Sequence, residues 1–72
     1  MAEDKIDYRK TLKPRIGQEL TVYPKGIDPI KGVLSKGILF YAVHGDTGML
    51  ILIPGHSATL EFKDATYDLS KM

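Results

Sequence analysis

Two uninterrupted apolar runs, Ile38–Val43 and Met49–Ile53, constrain the fold of this chain more than any other feature of its sequence. The segment between them contains Gly45 and Gly48, and two β-rich runs joined by a short glycine-containing segment are typical of a β-hairpin. A strand with one wet face alternates apolar and polar residues, because successive side chains point to opposite faces. Neither run alternates, so the sequence predicts a hairpin that is covered on both faces.

The second face of this predicted hairpin needs a cover. If Leu39, Tyr41 and Val43 face the core, the alternate positions place five large apolar side chains on the other face: Ile38, Phe40, Met49, Ile51 and Ile53. Burying one such side chain is worth roughly 1.5–3 kcal/mol, so leaving several in water favours association. The terminal segments of the same chain are an alternative cover, but both are polar. We therefore predict a homo-oligomer, with a ring built by edge-to-edge strand pairing as one form of it.

The rest of the chain predicts three further short strands: Gln18–Tyr23, Ile30–Lys36 and Ser57–Phe62. The first two are separated by the turn residues 24–29, and Gly32 inside the second indicates a sharp bend or a close backbone approach. Five short strands cover so small a core best by curling into a barrel, which also reduces exposed edges. We predict an all-β fold, a small bent five-stranded barrel of the SH3-like or Sm-like type over residues 16–63.

The two terminal segments are predicted to lie outside this barrel. Residues 1–15 begin with acidic and end with basic side chains, an order that suits a helix dipole, and Pro14 would end any helix at about Lys13. A short N-terminal helix and a frayed tail are both compatible with this pattern. Residues 64–72 are mostly polar and are predicted to form a C-terminal tail or one turn of structure.

Composition narrows the ways in which so small a domain is stabilised. A chain of 72 residues usually needs disulfides, a metal or a partner subunit, and this one has no cysteine. A formal net charge of +1 does not by itself indicate nucleic-acid or membrane binding. The longest apolar run is Ile38–Val43, whereas a membrane-spanning helix needs about 20 residues. The sequence therefore predicts a cytoplasmic protein that does not enter a membrane.

Three segments resemble the Sm/Lsm/Hfq family of small barrels. Leu20–Tyr23 is similar to the family's first strand, and Ile30–Leu34 to its second strand with the bend glycine. Ile53–Ala58 is similar to the turn before the last strand, where Hfq carries a Tyr-Lys-His motif; proline and glycine stand at the first two positions and His56 at the third. Members have an N-terminal helix and a bent five-stranded barrel, form rings and bind RNA. The resemblance covers residues 18–62 and implies the same fold, ring assembly and RNA binding for this chain.

A basic cluster, a strand tyrosine and a turn histidine are the candidates for nucleic-acid contact. Cations hold phosphates, and aromatic rings stack on bases in single-stranded segments. In chain order the candidates are Arg9, Lys10, Lys13, Arg15, Tyr41 and His56. We predict a small oligomer that binds RNA or another nucleic acid through these residues. The alternative is a non-enzymatic scaffold or protein-interaction subunit that presents its apolar strands to a protein partner.

The sequence does not indicate an enzyme, a metal site or a cofactor. The two histidines, His44 and His56, lie twelve positions apart at predicted turns, a spacing that matches no helical ligand pattern. Residues 45–48 are of the kind that tight hairpin turns use, and no helix is predicted after them to help hold an anion.

Overall fold

The computed structural model describes residues 6–46 and 48–72, which form one short helix and a single antiparallel sheet of six strands. The all-β prediction is confirmed. In chain order the elements are α1 (Tyr8–Leu12), a 3-10 turn (Lys13–Arg15), β1 (Glu19–Pro24), β2 (Ile30–Lys36), β3 (Tyr41–Gly45), β4 (Gly48–Leu52), β5 (Ala58–Phe62), β6 (Thr66–Asp68) and a final 3-10 turn (Leu69–Lys71).

The strands lie across the sheet in the order β4-β3-β2-β1-β5-β6. Consecutive strands form hairpins except at one place, where β5 returns across the molecule to pair with β1 from Leu20 opposite Phe62 to Pro24 opposite Ala58. β4 and β6 are the two edges, and no pairing joins them in the described part of the chain. The sheet is therefore not closed into the predicted barrel, and it has six strands instead of five.

One face of the sheet carries the hydrophobic core. The register sets Leu34 beside Val43, and Val22 beside Leu60, and all four side chains are at most 1% exposed. We call this the inner face and the opposite one the outer face. The buried apolar side chains are Tyr8, Leu12, Leu20, Val22, Leu34, Tyr41, Ala42, Val43, Leu52, Leu60, Phe62, Leu69 and Met72.

The helix α1 covers part of the inner face. Asp7 caps it, because its carboxylate accepts a hydrogen bond from the Lys10 backbone N–H at 2.9 Å. Tyr8 and Leu12, one turn apart, both point into the core. Pro14 lies in the 3-10 turn that follows, in keeping with a helix that ends by Leu12. The N-terminal helix, one of two alternatives at the sequence level, is thus present and short.

The C-terminal residues 64–72 form a short strand and one 3-10 turn that belong to the fold, so of the two predicted alternatives the tail is wrong. β6 pairs with β5, and Leu69 and Met72 are only 2% and 7% exposed. Asp68 caps the last turn through the Ser70 backbone N–H at 3.0 Å, and the Lys71 carbonyl oxygen accepts a hydrogen bond from the Ile6 N–H at 3.0 Å. The two ends of the described chain therefore lie together.

Candidate association surface

β4 is an edge strand, and its pairing leaves alternate backbone groups without a partner in the sheet. The Gly37 N–H donates to the Phe40 carbonyl oxygen at 2.8 Å, which makes these two residues a hydrogen-bonded pair. Such pairs alternate with non-hydrogen-bonded pairs along an antiparallel ladder. By this alternation residues 42 and 44 turn their backbone groups toward β2, and residues 41, 43 and 45 turn theirs toward β4. Met49 and Ile51 consequently direct their N–H and C=O groups to the open edge.

The Tyr8 hydroxyl supports this assignment independently. It accepts a hydrogen bond from the Tyr41 backbone N–H at 2.7 Å and donates one to the Leu52 carbonyl oxygen. Tyr41 and Leu52 are opposite each other in the β3–β4 register. Both backbone groups therefore point into the gap between β3 and β4, as the alternation requires, and the hydroxyl bridges the last rung of the ladder.

The outer face beside the open edge is apolar and exposed. The register aligns Val33 of β2 with His44 of β3 and Met49 of β4, and the next outer row ends at Ile51. Val33 is 38% exposed, Met49 56% and Ile51 49%. We call Val33, Met49 and Ile51 the outer strip. No charged residue occurs from Gly48 to Ile53, so nothing on this edge discourages pairing with another strand.

The five predicted interface residues separate into two groups. Met49 and Ile51 lie on the outer strip, and Ile53, half-buried, follows the end of β4. Ile38 and Phe40 lie elsewhere, because residues 38–40 form a bend before β3 and not the first part of a strand. Ile38 is 97% exposed and Phe40 37%. The interface assignment itself stays a prediction for all five.

Val33 belongs to the outer strip but is not among the interface residues that the sequence predicted. It is adjacent to the buried Leu34, and two neighbouring apolar residues in a strand do not reveal which face each occupies. Lys31 and Ser35 share a face with Val33, and these polar neighbours were the available signal that this face is the outer one. The pairing of Val33 with His44 follows only from the register.

A shallow cleft of about 450 Å³ lies where α1 meets the 38–40 bend. Its walls are mostly apolar, and Arg9 crosses one side with a long contact of 3.5 Å from Nη2 to the Leu39 carbonyl oxygen. The lining residues are Ile6, Asp7, Tyr8, Arg9, Leu39, Phe40, Pro54 and Met72.

The six predicted nucleic-acid residues occupy different environments. Arg9, Lys10 and Lys13 are exposed on α1 and the turn after it, and His56 is exposed in the turn after β4. Tyr41 is 3% exposed and packs edge-on against Tyr8 with ring centroids 5.4 Å apart, so its faces are closed to a base. Nucleic-acid binding stays a prediction that depends on the exposed cations and His56.

Arg15, the fourth predicted phosphate ligand, is engaged within the fold. Its guanidinium forms a bidentate ion pair with Asp64, with Nη1 to Oδ1 at 2.7 Å, and lies 4.7 Å above the centre of the Phe62 ring. It also donates to the Tyr67 hydroxyl at 3.2 Å. We call Arg15, Phe62, Asp64 and Tyr67 the Arg15 cluster; it attaches the start of β1 to the β5–β6 hairpin.

The Arg15 cluster predicts a particular acid dependence of stability. The hydrogen bond from Arg15 lowers the pKa of Asp64 from its ordinary value of 3.8. A carboxylate whose pKa is depressed in the folded state stabilises the fold above its unfolded pKa, and that contribution is lost as the pH falls through the folded pKa. We expect the unfolding free energy of Asp64→Asn to decrease less than that of the wild type between about pH 5 and about pH 2.

Urea unfolding at several pH values measures this dependence, with Asp28→Asn as the control. Asp28 is an exposed carboxylate in the turn between β1 and β2, outside the Arg15 cluster. Its removal should leave the acid dependence as in the wild type. The same slope in Asp64→Asn as in the wild type would contradict the role given to the ion pair.

Neither a metal cluster nor a membrane-spanning helix is found in the part of the chain that the structure describes. No three His, Asp or Glu side chains there come close enough together to hold a metal ion. None of the helices there is long and apolar enough to cross a membrane.

Compared with protein-family models, with curated proteins and with solved structures, the chain has no match in any of the three.

Proposed function

We propose that this chain is a non-enzymatic interaction subunit that associates through the open edge and outer strip of β4. One observation carries the proposal. In β4 the residues whose backbone groups face the open edge, Met49 and Ile51, are also those with exposed apolar side chains. A strand added at this edge would pair with the backbone groups and at the same time place its own side chains beside the exposed apolar ones.

Contact with the exposed apolar side chains adds to the free energy of the backbone pairing at this edge. Met49 and Ile51 are each about half exposed, so covering them is worth about 1 kcal/mol apiece. An added strand also places its own outer-face side chains beside Met49 and Ile51. Small barrels and sheets commonly protect an edge with lysine, proline or a short strand, and β4 carries none of these along Gly48–Leu52.

We also propose, as a separate and second part, that the chain is Sm-like and binds RNA. A helix before β1 and a bend glycine in β2 are in keeping with the Sm-like resemblance. The exposed cations Arg9, Lys10 and Lys13 on one terminal segment favour an acidic ligand. Neither feature involves β4, so association can be tested without them.

Sedimentation velocity at concentrations up to tens of micromolar tests the proposal. The wild-type chain should sediment as an oligomer, and Ile51→Asp should sediment as a monomer, because a charged side chain on an edge strand discourages pairing with another strand. The matched control is Ile27→Asp in the turn between β1 and β2, where the isoleucine is 64% exposed. This control should retain the wild-type mass.

Two further measurements make the result interpretable. Circular dichroism should show that Ile51→Asp keeps the wild-type spectrum, and the Lys10→Glu/Lys13→Glu double variant should keep the oligomer. A wild-type chain that is monomeric over the whole range would overturn the proposal. Absorbance at 260 nm in the sedimenting boundary would reveal a nucleic acid that accompanies the chain.

A further inference from the structure

The two open edges of the sheet differ in what they offer to a partner. β4 spans five residues without a charge, Gly48–Leu52. β6 spans only three, Thr66–Asp68, and its ladder places the backbone groups of Thr66 and Asp68 at the open edge, because Phe62 N–H donates to the Ala65 carbonyl oxygen at 2.7 Å. A short edge that carries a carboxylate is protected against pairing. A head-to-tail contact of β4 with β6 would bring Asp68 to an apolar strand.

We propose that the occupant of the β4 edge is a second copy of β4, antiparallel to the first about a two-fold axis that passes beside Leu50. This inference rests on the proposed function, because it specifies the partner of that same surface. A two-fold contact uses the same patch on both copies and closes after two subunits. It joins the two six-stranded sheets into one continuous sheet.

The backbone limits this pairing to a few registers, and the overlap of the two strands selects one of them. A residue whose N–H and C=O groups face the open edge must pair with a residue of the copy whose N–H and C=O groups also face its open edge. Met49 therefore pairs either with Ile51 of the copy or with Met49 of the copy, and Ile51 likewise. When Leu50 lies opposite Leu50, all five residues of one β4 overlap with all five of the other. Met49 then exchanges hydrogen bonds with Ile51 of the copy, twice by symmetry. A shift toward the C-terminus would replace strand residues with Ile53 and Pro54, which lie beyond the end of β4.

The side chains agree with this register. On the outer face each Met49 lies beside Ile51 of the copy, so the two outer strips merge into one apolar surface. On the inner side Leu50, which is only half-buried in one chain, meets Leu50 of the copy. Every directly opposite pair is apolar or contains a glycine, and apolar cross-strand pairs of this kind stabilise a sheet.

Cysteine cross-linking tests the register, because the chain has no cysteine of its own. In the proposed pairing the Cα atoms of Met49 and Ile51 of the copy lie about 5.5 Å apart, within the range that a disulfide bridges. The Ile51 residues of the two copies are offset by two positions along the strands, so their Cα atoms lie roughly 8–9 Å apart, beyond that range. An equimolar mixture of Met49→Cys and Ile51→Cys should therefore cross-link at least about fivefold more than either variant alone.

The products are identified by their masses after mild oxidation, with Ile27→Cys as the exposed control that should remain uncross-linked. If Ile51→Cys alone cross-links as efficiently as the mixture, the register is overturned. Cross-linking of Ile51→Cys with Thr66→Cys would overturn the two-fold arrangement in favour of a head-to-tail one. A wild-type oligomer that gives no β4 cross-link would overturn this inference and leave association standing, whereas a monomer would overturn both.

Discussion

Gly32→Ala is expected to lower the free energy of unfolding by roughly 3 kcal/mol or more, at the upper end of what overpacking costs. A Cβ atom at this position would lie 2.3 Å from the His44 carbonyl oxygen and 2.7 Å from its carbonyl carbon. Both are backbone atoms of β3, so they cannot rotate away as a side chain would. The strand could make room only by separating β2 from β3.

Chemical denaturation of Gly32→Ala and Val33→Ala measures this effect. Val33 is the next residue along β2 but is 38% exposed on the outer strip, so its truncation should cost less than about 1 kcal/mol. The comparison separates the close approach of two backbones from a general sensitivity of β2. A Gly32→Ala variant within about 1 kcal/mol of the wild type would show that the β2–β3 pairing tolerates a Cβ there.

At Gly32 the sequence predicts a close approach of the backbone but does not predict which atoms lie opposite. A glycine inside an apolar strand pattern indicates a bend or a close approach, and the contact with β3 confirms this prediction. The identity of the opposing atoms depends on the register between Gly32 and Gly45. Register is set by turn geometry and packing together, so local sequence does not specify it.

The predicted hairpin was correct in its centre and wrong at one end. β3 and β4 pair around the glycine-containing turn, but the apolar residues Ile38–Phe40 do not extend β3. The Gly37 N–H bonds to the Phe40 carbonyl oxygen, which closes the turn between β2 and β3 at these residues. Hydrophobicity alone does not distinguish an exposed apolar turn from the beginning of a strand.

The strand β6 in the C-terminal segment was not predicted, for a different reason. Its apolar residues, Tyr67, Leu69 and Met72, are two and then three positions apart, so neither the strand period nor the helix period continues long enough to be recognised. They reach the core because β6 ends at Asp68 and the chain turns at once into a 3-10 turn. A change of element within six residues leaves no periodic signal to read.

The candidate surface could be predicted in its chemistry but not in its position. Met49 and Ile51 were expected to face outward because an unbroken apolar strand has two apolar faces. That β4 is an edge depends on β5 pairing with β1 instead of β4, a contact between residues some forty positions apart, Leu20 and Phe62. Only the assembled sheet therefore shows that the apolar side chains and the free backbone groups coincide.

Tyr8→Phe is expected to lower the free energy of unfolding by about 2–4 kcal/mol, because two buried backbone groups would lose their partner at about 1–3 kcal/mol each. The Tyr8 hydroxyl stands between the Tyr41 N–H and the Leu52 carbonyl oxygen, in the last rung of the β3–β4 ladder. Phenylalanine keeps the ring contact with Tyr41 but bridges neither group. Burial raises the pKa of Tyr8, so the hydroxyl remains protonated and able to donate at any pH near neutral.

The matched control for this substitution is Tyr23→Phe. The Tyr23 hydroxyl donates to the Glu61 carboxylate at 2.8 Å, but the residue is 42% exposed and water can replace the lost bond. Its removal should cost less than about 0.5 kcal/mol. Amide hydrogen exchange should locate the effect of Tyr8→Phe at Tyr41, whose N–H would exchange faster than in the control. Equal stability of the two variants would mean that Tyr41 and Leu52 close the last rung directly, without the hydroxyl, and that α1 is joined to the sheet by packing alone.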